Sequence, residues 1–127
     1  MIAVDTSAII AILLQEPEAQ ACIAAIEAAD GLVISAATLA EALIVASGRG
    51  LDAEAADFID GLGVEVVPVT AASARRSAEA YSRWGKGIHP AKLNYGDCFA
   101  YEVARERGCR LLFIGNDFAQ TDIKSAL

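Results

Sequence analysis

Histidine and cysteine are scarce in this chain. Its 127 residues include one histidine, His89, and three cysteines, Cys22, Cys98 and Cys109, none of them in a CxxC pair. That pattern argues against a structural zinc site of the usual Cys/His kind. It also leaves His89 as the only imidazole for serine–histidine or cysteine–histidine chemistry, and no GxSxG nucleophile motif accompanies it. Long hydrophobic runs are missing too. Residues 2–14 are apolar, but Asp5 interrupts them and no Lys or Arg precedes them, so they are too short to span a bilayer and poor as a signal peptide. A cytoplasmic protein with reduced thiols and no membrane partner is the expectation. Bases are nearly absent from the first 70 residues, where Arg49 stands against eleven acids. The overall charge of −7 argues against a generic nucleic-acid coat.

What is present is apolar and regularly interrupted. Hydrophobic residues make up 55% and charged residues 21%, which suits one compact domain over residues 1–127. Four short apolar segments read as strands: IAVD (Ile2–Asp5), LVIS (Leu32–Ser35), VEVVPV (Val64–Val69) and RLLFIG (Arg110–Gly115). Helical stretches separate them. Thr6 or Ser7 is expected to cap the first helix, Thr38 the third and Thr70 the one ending near Trp84. Gly85–Gly96 reads as a loop, and Gly108 as the C-cap of the helix that follows it. The alternation predicts an α/β fold, a three-layer α/β/α domain with a parallel sheet.

Asp5, Glu41, Asp97 and Asp117 fall at strand ends or on the opening turns of neighbouring helices. In a parallel α/β sheet these places converge on the carboxyl edge, at a topological switch point if strands one and four are neighbours. Crowded carboxylates repel and resist leaving water, and a cation among them resolves both costs. Oxygen-only donors suit Mg²⁺ or Mn²⁺, and the chemistry expected of such a site is phosphoester hydrolysis.

The segments MIAVDTSAIIAILLQEPEA, SAATLAEAL, HPAKLNYGDCFAYEVA and LLFIGNDFAQTDI, in this order, resemble the PIN-domain ribonucleases, specifically the VapC toxins of toxin–antitoxin pairs. The resemblance covers nearly the whole chain. It implies strand order 3-2-1-4, with a short fifth strand at the edge. It implies that Asp5, Glu41, Asp97 and Asp117 form the catalytic acidic cluster, with Asp5 and Asp97 as the firmest Mg²⁺ ligands. Thr6 and Asn116 would support the carboxylates, and Asp122 would add a further acid. The implied activity is endoribonucleolytic cleavage of RNA, neutralised by a cognate VapB-type antitoxin, in a homodimer.

A basic stretch supplies candidates for phosphate contact. Residues 71–95 hold Arg75, Arg76, Arg83, Lys86 and Lys92 against Glu79 alone, with His89 among them. Tyr95 and Trp84 are candidates for stacking on a base, although both residue types usually serve the core. Leu39, Leu43 and Ile44, with Phe58, Ile59 and Leu62, either cover the core or extend into a partner interface. Two other classes compete. A strand ending in Asp also opens phosphotransfer and phospho-acceptor domains, but Ser7 stands where the dehalogenase type needs a second Asp, and the adjacent acids and distal Lys of receiver domains are missing. A catalytically silent RNA-binding PIN-like protein would need no complete set of four acids.

Overall fold

The computed structural model describes residues 1–127. Four strands form one parallel sheet in the order β3-β2-β1-β4. They are β1 (Ile2–Val4), β2 (Leu32–Ser35), β3 (Glu65–Val67) and β4 (Arg110–Leu112). Six helices connect and cover them: α1 (Thr6–Leu13), α2 (Ala19–Ala28), α3 (Ala36–Gly48), α4 (Asp52–Leu62), α5 (Ala71–Trp84) and α6 (Tyr95–Arg107). A single 3-10 turn, Phe118–Gln120, follows β4.

The period of two along each strand divides the interior into two cores. Ala3, Val33 and Leu111 share one side of the sheet and pack with Ala80, Trp84, Leu93, Tyr101 and Val103 from the α5–α6 half. Val4, Ile34 and Leu112 point the other way and pack with Ala8, Ile9, Cys22 and Ala42. The register pairs Ala3 with Val33 on one side and with Leu111 on the other. β1 is therefore central, and its C-terminal end lies between the ends of β2 and β4. The strand order changes direction there, which places Asp5 at the switch point.

Several local expectations are revised. The cap of α1 is Asp5 itself, whose carboxylate accepts from the Ser7 N–H at 3.1 Å. Ser35 caps α3, with Ala37 N–H donating to its Oγ at 3.2 Å. Thr38 lies within that helix and is fully buried. β3 is only three residues long because it is an edge strand running into Pro68, which has no N–H to donate. The implied fifth strand is one parallel bridge, Leu111 to Ser125, held by Leu111 N–H on Lys124 O and Ala126 N–H on Leu111 O, each 2.9 Å. Asp122 is tied down by Tyr101 just before it, so little of the segment comes into register. Gly108 ends α6 in the left-handed region at φ 60°, as its position predicts. No helix is long and apolar enough to cross a membrane.

The stretch 85–94 is not a free loop. Leu93 is fully buried and pairs back to Trp84 O at 3.1 Å, while Lys86 N–H donates to Leu93 O at 2.9 Å. His89 packs edge-on against Trp84 at 4.7 Å between ring centroids, and its Nδ1 accepts from the Ala91 N–H at 3.0 Å. Trp84 in turn donates to the Tyr101 hydroxyl at 3.1 Å. These contacts pin the connection beneath α6 and fix where that helix starts.

Candidate active site

All four acids reach the carboxyl edge of the sheet. Asp5 follows β1, Glu41 sits in the second turn of α3, Asp97 is the third residue of α6, and Asp117 opens the 3-10 turn after β4. Their mutual influence is strongest at Asp97. Desolvation pushes its carboxyl up to about 6, hydrogen bonding from the Asn94 backbone opposes this, and the charges of Asp5, Asp117 and Glu41 each push it further up. Asp5 is also raised, chiefly by burial, against the stabilising Ser7 hydrogen bonds, with Glu41 adding repulsion.

Three of the four carboxylates are held by a neighbour, and that of Asp117 is exposed. Asp5 is 4% exposed, and its Oδ2 accepts from Ser7 Oγ at 2.6 Å as well as from the Ser7 N–H. The same Ser7 hydroxyl accepts the Ile114 N–H at 3.0 Å, tying the end of β1 to the segment that leads to Asp117. Thr6 Oγ1 donates to Glu41 Oε1 at 2.6 Å. Asp97 forms a reciprocal capping box: its Oδ2 accepts from Asn94 N–H at 3.0 Å, and its own N–H donates to Asn94 Oδ1 at 2.9 Å.

These bonds gather the acids without closing them into a chelate. No three of the chain's His, Cys, Asp and Glu side chains stand close enough together to hold an ion as they are. Like charges facing one another stand apart, and Ser7, Thr6 and Asn94 each take up one carboxylate oxygen. One atom nevertheless fits a cation. Asp5 Oδ1 is buried and has no hydrogen-bond partner. A buried carboxylate oxygen left unpaired is costly, and the charge of Glu41 adds negative potential at Asp5. The donor set is all oxygen, which matches Mg²⁺ or Mn²⁺.

Other sequence candidates fall differently. Thr6 reaches Glu41, whereas Asn116 is exposed. Asp122 stands apart from the four acids: it accepts from Tyr101 Oη at 2.6 Å and pairs with Arg105 at 3.5 Å and Arg83 at 3.7 Å. Arg76 is occupied by Glu102 at 2.8 Å and Glu106 at 3.5 Å. Arg83 also lies over the Trp84 ring at 4.5 Å, and His89 serves the core contact described above. Arg75, Lys86 and Lys92 remain exposed.

Three residues that position the acids were not among the site candidates: Ser7, Asn94 and Gly96. The first two had a signal, since Asp-x-Ser favours a side-chain turn and Asn-x-x-Asp is a capping-box pattern. Gly96 had none. A Cβ at that position would stand 2.9 Å from Glu41 Cδ, so the α3 carboxylate closes directly over the start of α6. Gly96→Ala should displace Glu41 and break its Thr6 bond. The expected result is a fall in activity of about tenfold or more, with a melting temperature within a few degrees of the native chain. Unchanged turnover would mean that the position of Glu41 is unimportant.

A family model described as PIN domain matches residues 2–124. Among curated relatives, Ribonuclease VapC28 of Mycobacterium tuberculosis is 43% identical, with 98% of this chain and 96% of that protein aligned. Ribonuclease VapC30 of the same species is 41% identical over 94% of both. Among solved structures, the Mycobacterium tuberculosis VapC20 toxin superposes with a TM-score of 0.80 at 19% identity, covering 97% of this chain and 96% of that one. A toxin–antitoxin complex from Klebsiella pneumoniae gives 0.72 at 18% identity, covering 96% and 93%. The two superpositions are likenesses of fold. The family model and the sequence identity together establish that this chain belongs to the PIN-domain family, in its VapC toxin group.

Proposed function

We propose that the chain is a divalent-metal-dependent endoribonuclease toxin that a VapB-type antitoxin neutralises. The observation that carries the reading is the orphaned, buried Oδ1 of Asp5, joined by the charges of Asp5, Asp117 and Glu41 that converge on Asp97. The 41–43% identical relatives are named ribonucleases, which supports the activity. VapC20 is described as a sarcin–ricin loop cleaving toxin, which supports RNA as the substrate class. The Klebsiella pneumoniae toxin–antitoxin complex supports the antitoxin as partner class. One domain spanning residues 1–127, working in the reducing cytosol on RNA, completes the reading. A homodimer belongs to it as well: α3 leaves Leu43, Ile44 and Val45 exposed, Ile44 to 72%.

In this reading Asp5 Oδ1 and Asp97 hold Mg²⁺ or Mn²⁺, and Glu41 and Asp117 complete the site directly or through water. When bound, the ion lowers the pKa of water and offsets charge on the scissile phosphate. Ser7 holds Oδ2 of Asp5 and leaves Oδ1 free for the ion. Asn94 fixes Asp97 at the opening of α6. Thr6 engages Oε1 of Glu41 and leaves Oε2 to accept a proton from the attacking water.

The test is cleavage of single-stranded RNA by the purified chain. Cleavage should require Mg²⁺ or Mn²⁺ and stop with chelator. Metal-independent cutting, or none with either ion, would reject the proposal. Among the basic residues, Arg75→Ala should weaken RNA binding and flatten its dependence on salt. Arg76→Ala should leave that dependence intact but lower the melting temperature, because it strands the buried Glu102 without its partner. Equal salt slopes for the native chain and Arg75→Ala would place the phosphate contact elsewhere.

A further inference from the structure

The edge of the sheet where the strands begin carries a pocket of about 570 Å³. It lies between the end of α6, the start of β4 and the segment around Lys124. Its charge is unlike that of the chain as a whole. Arg105, Arg107, Arg110 and Lys124 line it against Asp122 alone, although the chain's 17 acids outnumber its 10 Lys and Arg residues. Two of the four cations are already engaged. Arg105 pairs with Asp122 at 3.5 Å, and Arg107 donates to Glu65 at 3.0 Å. Both also suit the negative C-terminal end of α6. Arg110 and Lys124 have no such duty: they are exposed, make no ion pair and belong to no helix.

Backbone pairing sets these two side by side. The parallel bridge between Leu111 and Ser125 brings Arg110 opposite Lys124 one step earlier, and neighbours across such a pairing are about 5 Å apart. Leu111 N–H donates to Lys124 O at 2.9 Å, which fixes the register. Like charges directly opposite one another on paired segments are destabilising. The one acid in the pocket wall is already claimed by Arg83, Arg105 and the Tyr101 hydroxyl. An oxyanion bridging Arg110 and Lys124 relieves their repulsion, as a cation does for Asp5 at the other edge. The two edges are close. Arg110 pairs with Ile2 at the start of β1, Asp5 follows its end, and strands of three residues span about 10 Å. A polyanion whose reacting phosphate lies among four acids needs cations elsewhere for its flanking phosphates.

We propose that Arg110 and Lys124 form a phosphate-binding anchor for RNA at the amino edge of the sheet, remote from the cut. The anchor rests on the reading of RNA as the substrate, and it adds a second point of attachment on the far side of the sheet from the acids. Contacts to phosphate position a strand without reading its bases, so the anchor governs affinity and reach and leaves sequence preference to the neighbourhood of the cut.

The test is the salt dependence of binding to fluorescently labelled single-stranded RNA, measured by anisotropy with chelator present so that nothing is cut. Arg110→Gln and Lys124→Gln should each reduce the slope of log affinity against log salt by about 0.7. Arg49→Gln makes the same change in net charge at an exposed residue outside the pocket, and should leave the slope as it is. With Mg²⁺ or Mn²⁺ added, the Arg110→Gln/Lys124→Gln double variant should raise KM by about tenfold at physiological salt and leave kcat unchanged. Native slopes in both single variants overturn the anchor. Equal losses in all three single variants overturn it too, since they assign the effect to overall charge. Inorganic pyrophosphate distinguishes a small anion from RNA: a melting temperature that it raises in the native chain and not in the double variant, with RNA slopes unchanged, makes this a site for free phosphates and overturns the RNA contact. The slopes are read without cleavage, so the two readings fail separately. Reduced slopes in a chain that cuts no RNA with either ion reject the nuclease and leave the anchor standing, and native slopes in a chain that cuts RNA do the reverse.

Discussion

Asp5→Asn and Asp97→Asn should each reduce metal-dependent RNA cleavage by more than about a hundredfold. Loss of a residue that merely supports a metal ligand costs about tenfold to a hundredfold, and these two carboxylates are proposed as the ligands themselves. The same substitutions should not weaken the fold. Asn caps a helix as well as Asp does, so the Ser7 N–H keeps its acceptor in Asp5→Asn and the Asn94 N–H keeps one in Asp97→Asn. Burial raises the carboxyl pKa at both positions, so the ionised groups oppose folding at neutral pH. Their removal should therefore raise the melting temperature of the metal-free protein at pH 7, and the gain should shrink as the solution is acidified. Such an exchange of stability against activity is the mark of a site built for a ligand. Near-native turnover in both variants, or a large loss of stability in both, would contradict it.

Metal-free protein should lose stability as pH rises from about 4 to about 6. Asp97 titrates near 3.8 in the unfolded chain and at about 6 in the folded one, so across that window the folded state holds a proton that the unfolded state has released. Stability is highest at the acid end and declines until Asp97 is ionised in both states. Partial solvent exposure of Asp97 softens the slope. A divalent cation should reverse the trend, because it binds the ionised carboxylates and the native state alone presents them together. The rise in melting temperature given by Mg²⁺ should be small at pH 5 and large at pH 7.5. General self-repulsion in an acidic protein also grows with pH, so Asp97→Asn serves as the control: it should flatten the metal-free slope and lose the Mg²⁺ effect. An equal slope in native and variant protein would assign the trend to overall charge.

Much of this architecture was legible in the sequence because the signals were periodic. Short apolar segments alternating with helical ones demanded a parallel sheet, and acids at segment ends then had one edge on which to meet. Thr6 was legible from its place beside Asp5. Helix starts were less so: Ser35 and Thr38 carry equivalent hydroxyls, and only the packing of Thr38 into the core decides between them. The basic stretch was harder to read for a related reason. Arg75 and Arg76 are adjacent in sequence but lie on different faces of α5, one in water and one against Glu102, whose burial no composition reveals. Asp122 looked like a fifth acid for the site until the Tyr101 hydroxyl and two arginines claimed it. Gly96 was silent, since its role depends on a side chain 55 positions away closing over its Cα.

The most direct measurement is the location of bound Mn²⁺ by anomalous scattering from crystals of the native chain grown with the ion. An anomalous peak about 2.1 Å from Asp5 Oδ1, with an Asp97 oxygen in the same coordination shell, is the expected result. Mn²⁺ bound away from this edge of the sheet, with Asp5 Oδ1 still unpartnered at saturating ion, would contradict the account.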